Sequence, residues 1–467
     1  MTRTDFIENR TYDEIQVGDS VSLTRTLRPE DIRLFAVMSG DANPAHVDSE
    51  YAGSSMFHEF IAHGMWGGAL ISTVLGTQFP GPGTSYIDQT LHFSRPLGLG
   101  DTITVTLTAR RKFDHNHHIL FDCTCTNQDR REVIRGSIEV QAPTEKIKRA
   151  RAALPGVTLS DRAAHYQGLL ARAKGMESIP MAVVHPCDAE SLGGAVTALK
   201  ADLIVPILVG PAAKIRAVAE AQELDLDGIE IVDAPHSHAA AATAVALVRE
   251  GRAEGLMKGS LHTDELMGEV VAAGSDLRTE RRISHVFLAD VPTYPRSLLI
   301  TDAAINIDPT LSEKADIVQN AIDLAHVLGI AEPAVAILAA IEVVNPAMRA
   351  TTDAAALCKM ADRRQITGGV LDGPLAFDNA VSLVAAKTKG ILSAVAGRAD
   401  ILVVPDIESG NMLAKQLEYL AGALLSGVVA GARVPIVLTS RADSVESRAA
   451  SCAIAVLMAH AKRKRAA

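Results

Sequence analysis

Apolar and polar side chains alternate along the first third of the chain, a pattern typical of half-buried β-strands. Residues 103–109 read Ile-Thr-Val-Thr-Leu-Thr-Ala, so every second side chain is apolar. Similar patterns predict further strands at residues 21–27, 86–93, 119–126 and 133–140. Residues 62–75 carry a helical pattern that is unusually rich in glycine. Because glycine weakens a helix, we expect another backbone or a ligand to approach this helix closely.

The period changes after about residue 157, where short apolar runs alternate with long alanine-rich helical stretches. This order predicts layered α/β structure with a parallel sheet. The region is roughly twice as long as a usual domain, so we expect two lobes with a cleft between them. The apolar runs lie at residues 181–184, 204–209, 229–232, 255–257, 284–288, 298–300, 335–339, 401–404 and 436–438.

A change in composition separates the two regions. Residues 146–156 are rich in charge, proline and glycine, which predicts a linker between domains 1–145 and 157–467. Within the second domain, we expect the two lobes to divide the chain discontinuously. One lobe is predicted at residues 157–292 plus 432–467, and the other at residues 293–431.

Composition and charge exclude several classes of function. The net charge is −10 at pH 7, and no basic excess suggests nucleic acid. There is no membrane-length apolar segment or signal peptide, and the five scattered cysteines imply no disulfide framework, so we expect a cytoplasmic protein. The sequence has no Gly-Lys dipeptide, which disfavours a P-loop enzyme. We predict no metal site and interpret the histidines at 115, 117 and 118 as a polar hairpin tip.

Candidate chemistry in the first domain lies before and at the start of the predicted glycine-rich helix. Asp41 and His46 are five residues apart across the Asn43-Pro44 turn. A carboxylate and an imidazole brought together there could share one water as base and acid. Gly64 opens the helix, where a free N–H could polarise a carbonyl. The alternative is an ordinary turn with a capping aspartate and a surface histidine.

These residues also form a recognisable set, which resembles the (R)-specific enoyl-CoA hydratases, or MaoC-like dehydratases. The resemblance implies a hot-dog fold, a curved antiparallel sheet around one long helix, and it is usually dimeric. It further implies that Asp41 and His46 activate the added water, that Asn43 and Ser72 support their geometry, and that Gly64 N–H binds the thioester oxygen. The matching motifs are Gly40-Asp41-x-Asn43-Pro44-x-His46, His63-Gly64-Met65, Ser72, Phe93-x-Arg95-Pro96 and Gly100-Asp101.

In the second domain, polar residues follow several apolar runs and precede helical stretches. The run at residues 436–438 ends in Thr439, Ser440 and Arg441. Ligands of open α/β sheets bind outside the carboxyl ends of strands, and helix N-termini suit phosphate. Another run ends in a segment with Lys258, Ser260 and Thr263, a plausible anion cradle. The plain alternative for each is a capped helix start with an exposed cation.

The same segments resemble the phosphate acetyltransferase and phosphate butyryltransferase family, across nearly the whole second domain. The resemblance implies two α/β lobes, a dimer, and exchange of coenzyme A for phosphate on an acyl group. Arg441 would hold the phosphate or acyl phosphate, and Ser440 would contact the sulfur or oxyanion. Further expected substrate contacts are Lys258, Ser260, Thr263, Arg282 and Asn411. The matching motifs are Lys258-Gly-Ser-Leu-His-Thr263, Thr301-Asp302-Ala-Ala-Ile-Asn306, Asp372-Gly-Pro-Leu-Ala-Phe-Asp378, Pro405-Asp-x-x-x-Gly-Asn411 and Thr439-Ser-Arg441.

One position departs from the acetyltransferase pattern. That branch has an aspartate six residues after the site arginine, thought to act as the base for the CoA thiol, whereas this chain has Ser447. The Thr-Ser-Arg-Ala-Asp-Ser form is closer to the butyryltransferase branch. Either the base differs or acetyl is not the preferred acyl group.

The resemblances together predict a bifunctional enzyme with no bound cofactor. The first domain would convert trans-2-enoyl-CoA to (R)-3-hydroxyacyl-CoA or the reverse, and the second would transfer an acyl group between CoA and phosphate. We expect a homo-oligomer, a dimer or larger, because both folds form dimers. In one alternative, the second domain is a non-catalytic module for oligomerisation or acyl-CoA sensing. In another alternative, the first domain is a non-catalytic hot-dog module that serves only for dimerisation.

Overall fold

The computed structural model describes residues 6–54, 60–154, 156, 157, 159, 164–439 and 443–466. The chain divides into two compact units, Met1–Leu159 and Ser160–Ala467. Part of the predicted linker belongs to the first unit, because Lys148–Ala150 forms an antiparallel pair with Phe6–Glu8. No helix among the described residues is both long enough and apolar enough to cross a bilayer.

The first unit is a five-stranded antiparallel sheet with one long helix. The sheet has the order β2-β4-β5-β6-β3, and β1 pairs with β7 outside it. The strands are β1 (Phe6–Glu8), β2 (Ser20–Thr26), β3 (Ser85–Phe93), β4 (Thr102–Phe113), β5 (His118–Thr126), β6 (Glu132–Gln141) and β7 (Lys148–Ala150). The helices are α1 (Pro29–Ser39), α2 (Pro44–Val47), α3 (Ser49–Ser54) and α4 (Gly64–Thr77), with a 3-10 turn at Tyr12–Glu14.

The alternation in the sequence places one face of this sheet against α4. On β4, the side chains of Ile103, Val105 and Leu107 are fully buried, while the threonines between them are partly exposed. Burial of this apolar face, at about 25 cal/mol per Å², is the main driving force for the unit. The arrangement is the hot-dog fold that the sequence predicted.

Side chains approach the glycines of α4 closely, whereas the sequence predicted another backbone or a ligand there. A Cβ atom on Gly67 would lie 2.3 Å from the Cδ1 atom of Ile134 on β6. Glycine at this position leaves room for the Ile134 side chain between the helix and the sheet.

The second unit contains an eleven-stranded sheet among the described residues. Its strands are β8 (Ile179–Val184), β9 (Ile204–Gly210), β10 (Glu230–Asp233), β11 (Gly255–Lys258), β12 (Ser284–Asp290), β13 (Leu298–Thr301), β14 (Ala334–Leu338), β15 (Val370–Leu375), β16 (Ile401–Val403), β17 (Leu424–Ala430) and β18 (Ile436–Val437). The helices are α5 (Ala164–Ala173), α6 (Ala189–Lys200), α7 (Ala212–Ala221), α8 (Ser237–Arg249), α9 (Thr263–Val271), α10 (Leu311–Val327), α11 (Arg349–Asp362), α12 (Phe377–Val381), α13 (Leu383–Thr388), α14 (Ile407–Ala421) and α15 (Val445–Ala466).

This sheet is continuous, with the order β10-β9-β8-β11-β18-β17-β12-β13-β16-β14-β15. Most neighbours are parallel, as predicted, but β17 pairs antiparallel with both β18 and β12, and β12 is also antiparallel to β13. The division of this unit into two lobes stays a prediction, since one continuous sheet runs through both predicted segments. β17 comes from the segment assigned to the second lobe and lies between two strands of the first.

Two strands of this sheet, β15 and β17, are absent from the predicted set, as are β1 and β7 in the first unit. β15 contains Gly373 and Pro374, which are unfavourable in a strand. In β17, Ser426 and Gly427 interrupt the run of apolar residues. Both strands are held by their neighbours in the sheet rather than by an apolar run of their own. Tertiary pairing outweighs local preference in each case.

The strands of this sheet run in two opposite directions. β11 and β18 end at one edge, where Lys258 and Thr439 lie. Because β17 is antiparallel to both β18 and β12, β12 runs in the same direction as β11, whereas β13 runs against it, so Thr301 at the end of β13 lies beside the start of β12. Polar residues therefore lie at strand ends on both edges of the sheet.

Candidate functional sites

In the first unit, a tight turn presents the Asp41 carboxylate. Helix α1 ends at Gly40, whose φ of 76° lies in the left-handed region. The Asp41 Oδ1 atom then accepts a hydrogen bond from Asn43 N–H at 3.2 Å, and Asn43 Oδ1 caps α2 by accepting from Ala45 N–H at 3.1 Å. Asn43 therefore shapes the turn that holds Asp41.

The hydrogen bond of His46 defines which of its nitrogens is basic. The Nδ1 atom lies 2.9 Å from the carbonyl oxygen of Ile61. A carbonyl only accepts, so Nδ1 carries the proton and donates it. The Nε2 atom of the neutral ring then keeps its lone pair. His46 is thus oriented as a base or hydrogen-bond acceptor for a bound water.

A second histidine, His63, completes this cluster. Ligand atoms of Asp41, His46 and His63 all lie within 4.8 Å of one another. The ring of His63 stacks on that of His46 with centroids 3.9 Å apart and a 33° angle between planes. Its Nε2 atom donates to the Asp41 carbonyl oxygen at 3.0 Å. Although the sequence showed His63 opening the helix, no spacing rule placed its ring beside His46.

The same three residues raise the question of a metal ion, which the sequence did not predict. Two histidines and one carboxylate form a common ligand set. One nitrogen of each ring is already committed, His46 Nδ1 to the Ile61 carbonyl and His63 Nε2 to the Asp41 carbonyl, so each ring has one nitrogen left to face a water or a cation.

Gly64 and Ser72 lie on α4. Gly64 is the first residue of the helix and is exposed, so its N–H has no acceptor within the helix. Ser72 is exposed two turns further along, and its hydroxyl contacts Tyr86 on β3. Burial raises the pKa of Tyr86 and the Ser72 contact opposes that shift. Ser72 thus connects the helix to the sheet.

In the second unit, a cavity of about 260 Å³ lies beside the carboxyl ends of β11 and β18. Of the predicted contacts, Lys258, Thr263 and Asn411 line it. Residues that the sequence did not single out also contribute, among them a buried histidine. The full lining is Lys258, Leu261, His262, Thr263, His285, Phe287, Ala304, Asn411, Lys415, Leu438 and Thr439.

Lys258 is the buried cation of this cavity, with only 4% of its surface exposed. Its Nζ atom makes long contacts of 3.4 Å to the Gly259 carbonyl and 3.5 Å to the Thr439 carbonyl. A buried ammonium group is costly unless anionic or polar groups surround it. Nearby, Thr263 begins α9, and Asn411 Nδ2 donates to the Ala303 carbonyl at 3.3 Å.

Two predicted contacts lie outside the set that lines this cavity. The Ser260 hydroxyl donates to the His185 carbonyl at 2.9 Å and accepts from Cys187 N–H at 3.2 Å, so it fixes a neighbouring turn. The guanidinium group of Arg282 is exposed and bonds Asn306 Oδ1 at 2.7 Å and Glu313 at 3.1 Å. The structure gives both residues protein partners.

Ser440 and Arg441 lie outside the described residues, but the structure describes both flanks of their segment. Thr439 and Asp443 are buried. The guanidinium group of Arg448, on α15, donates to Thr439 Oγ1 at 2.8 Å and to the Asp443 carbonyl at 3.4 Å. Arg448 is itself only 1% exposed. One buried side chain therefore ties together the two ends of this segment, and the sequence did not single it out.

Ser447, which stands where the acetyltransferase branch has an aspartate, is buried in the first turns of α15. Its N–H donates to Ser444 Oγ at 3.2 Å, and its carbonyl accepts from Ser451 Oγ at 2.8 Å. Asp443 is the buried carboxylate one turn earlier.

Two family models match the chain. Residues 236–456 match the model described as phosphate acetyl/butaryl transferase, and residues 14–126 match the MaoC-like domain. The two-unit fold is thus that of a phosphotransacylase joined to a MaoC-like hot dog.

Among known proteins, the phosphate acetyltransferase of Rhizobium meliloti is 63% identical over 302 residues, which cover 65% of this chain and 95% of that protein. A solved branched-chain phosphotransacylase from Enterococcus faecalis V583 is 32% identical with a TM-score of 0.54, covering 60% of this chain and 99% of that one. The R-hydratase PhaJ1 from Pseudomonas aeruginosa is 40% identical with a TM-score of 0.32, covering 33% and 99%. The chain therefore belongs to the phosphate acetyl/butyryltransferase family, and it also carries a MaoC-like domain.

Proposed function

We propose that this phosphate acyltransferase is a bifunctional acyl-CoA enzyme. The first unit hydrates trans-2-enoyl-CoA to (R)-3-hydroxyacyl-CoA or catalyses the reverse dehydration. The second unit transfers an acyl group between coenzyme A and inorganic phosphate. The observation that carries the first activity is the cluster of Asp41, His46 and His63 in a MaoC-like domain. The second rests on family membership and on the cavity that contains buried Lys258.

In hydration, a water is held between the Asp41 carboxylate and the Nε2 atom of His46. His46 removes a proton because its Nδ1–H is already committed to the Ile61 carbonyl. The water oxygen bonds to C3 of the enoyl group, and the electron pair of the double bond moves towards the thioester. The free N–H of Gly64 stabilises the resulting enolate oxygen. The proton that His46 took from the water is then delivered to C2, which completes the addition, and the reverse sequence removes water.

In transacylation, a phosphate oxygen attacks the thioester carbonyl carbon, and the carbon–sulfur bond breaks to release the CoA thiolate. Lys258 and Arg441 hold the phosphate, since a cation and a planar guanidinium group suit its oxygens. Ser440 donates to the developing oxyanion or to the sulfur. Thr263 and Asn411 line the same cavity and complete the anion site.

The first experiment measures thiol release from acyl-CoAs of two to eight carbons, with and without phosphate. We expect release to depend on phosphate and to be lost in Arg441→Ala. The panel begins with acetyl-CoA, because the relative that is 63% identical is a phosphate acetyltransferase. Release that does not depend on phosphate, or none with any acyl-CoA, would refute the transacylase and leave an acyl-CoA-sensing or oligomerising module.

The second experiment follows crotonyl-CoA hydration, which we expect to be lost in Asp41→Ala and in His46→Ala. Each variant serves as the control for the other unit. Asp41→Ala should keep full phosphate-dependent thiol release, and Arg441→Ala should keep full hydration. Hydration at the wild-type rate in both first-unit variants would make the hot dog a non-catalytic dimerising domain.

The proposal includes a homo-oligomer, a dimer or larger, because both families form dimers. Light scattering measures the mass directly. A monomer of 49.3 kDa at assay concentrations would contradict this part of the proposal.

A further inference from the structure

His285 is a buried histidine to which neither the sequence motifs nor the mechanism above gives a role. It lies on β12, near the centre of the large sheet, and its side chain is 0% exposed. The ring contacts Phe287 edge to face, with centroids 4.3 Å apart at 77°. Both side chains line the cavity that contains Lys258.

The polar atoms of this ring have no hydrogen-bond partner among the residues that the structure describes. This holds for both Nδ1 and Nε2. The Leu438 backbone lies near the ring and raises its pKa, but neither ring nitrogen reaches hydrogen-bond geometry with it. Buried side-chain nitrogens are normally paired with protein or water, so two unpaired atoms on one ring require an explanation. A histidine that only filled the core could be replaced by an apolar residue.

The surrounding backbone leaves room for the imidazole. A Cβ atom on Gly427 of the neighbouring strand β17 would lie 2.8 Å from His285 Nε2. The main chain is held independently, because Thr301 Oγ1 donates to the His285 carbonyl at 2.8 Å. The ring is thus fixed in position with its nitrogens unused.

The chemistry of the ring complements that of Lys258. Burial lowers the pKa of His285 to about 4, although nearby Asp302 opposes the shift, so the ring is neutral at pH 7. A neutral imidazole offers one N–H donor and one lone pair. Beside a buried ammonium group, the N–H suits an anionic oxygen, and the lone pair suits a protonated oxygen or a water. Monohydrogen phosphate presents both kinds of oxygen.

We propose that His285 contacts the phosphoryl group of the transacylase substrate, inorganic phosphate in one direction and acyl phosphate in the other. The inference rests on the proposed function of the second unit. It adds a contact supplied by β12 to those expected from Lys258 and Arg441. His285 thereby contributes to selection of phosphate over water as the acyl acceptor.

The test compares His285→Phe, which keeps the ring shape, with His285→Gln, which restores an N–H donor and an acceptor. We expect His285→Phe to raise the KM for phosphate at least tenfold while the KM for acyl-CoA changes less than twofold. His285→Gln should recover part of that loss. The matched control is His238→Phe at an exposed histidine of α8, which should change neither constant. A phosphate KM within twofold of the wild type in folded His285→Phe would overturn the proposal.

A binding measurement on the unmodified protein covers the case in which the variants do not fold. In protein with 15N-labelled histidine, titration with inorganic phosphate should shift the ring nitrogens of one buried histidine. Calorimetry gives the phosphate concentration that saturates the protein. If no such signal shifts at that concentration, the contact does not exist. This measurement does not depend on catalysis, so the two proposals can fail separately. A protein that shows the shift but releases no thiol would refute the proposed transacylase activity, whereas the contact between His285 and phosphate would stand.

Discussion

Replacement of Arg448 by methionine tests how the structure holds the segment that contains Ser440 and Arg441. The guanidinium group is 1% exposed and bonds both Thr439 Oγ1 and the Asp443 carbonyl. Methionine fills similar space but leaves these acceptors without their donor and removes the positive charge beside buried Asp443. Removal of one member of a buried charged pair costs about 3–5 kcal/mol, and we expect a loss of unfolding free energy in that range.

The functional consequence should exceed what reduced stability explains. At a temperature where the variant remains folded, Arg448 no longer joins Thr439 to Asp443, so we expect the segment between them, which carries the proposed catalytic residues, to shift. A displacement of about 1 Å can reduce a rate roughly 100-fold. We therefore expect phosphate-dependent thiol release to fall 10- to 100-fold while crotonyl-CoA hydration, in the other unit, keeps its wild-type rate.

The matched control is Arg463→Met on the same helix. The Arg463 guanidinium group is partly exposed and pairs with Glu254 at 2.9 Å and with Glu177 at 2.8 Å. Exposed ion pairs contribute about 1 kcal/mol or less, so this variant should retain stability and activity. Chemical denaturation and both activity assays are measured on each protein. If Arg448→Met were as stable and as active as Arg463→Met, the reasoning about this buried arginine would be wrong.

Three further predictions concern packing, pH and thiols. In Gly136→Ala, the new Cβ would lie 1.9 Å from the Thr90 carbonyl oxygen, so hydration and the unfolding transition of the first unit should be lost. In the control Gly76→Ala, no atom lies within 4 Å of the new Cβ, and this variant should melt at or slightly above the wild-type temperature. Burial lowers the pKa of His285 to about 4, so between pH 6.5 and 4 the unfolded chain binds a proton at this histidine that the native protein does not bind. The free energy of unfolding therefore falls as the pH falls through that range. His285→Phe should show a smaller drop in melting temperature between pH 7.5 and 5, and an equal drop would contradict this assignment. Cys123, Cys125 and Cys452 are fully buried. A thiol reagent should therefore modify at most Cys187 and Cys358 in the native protein, and all five cysteines after denaturation. Rapid reaction of three or more thiols in the native protein would refute this prediction.

Local pattern was sufficient for much of the fold. The alternation at residues 103–109 became β4, and the glycine-rich helical segment became α4. Such patterns succeed because the period of buried side chains follows directly from helix and strand geometry. They failed for β15 and β17, where Gly373, Pro374 and Gly427 lie inside strands that only neighbouring strands stabilise.

The sequence by itself determined the two families and the pairing of Asp41 with His46, because the residues that matter there are close together along the chain. Only the tertiary structure decided that His63 stacks on His46, since 17 positions separate them and the contact depends on how α4 meets the turn. In the second unit, the tertiary structure gave Ser260 and Arg282 protein partners outside the cavity. It also placed His285 in the lining of that cavity. The position of β12 among antiparallel neighbours places that histidine, and strand order is a property of the whole sheet.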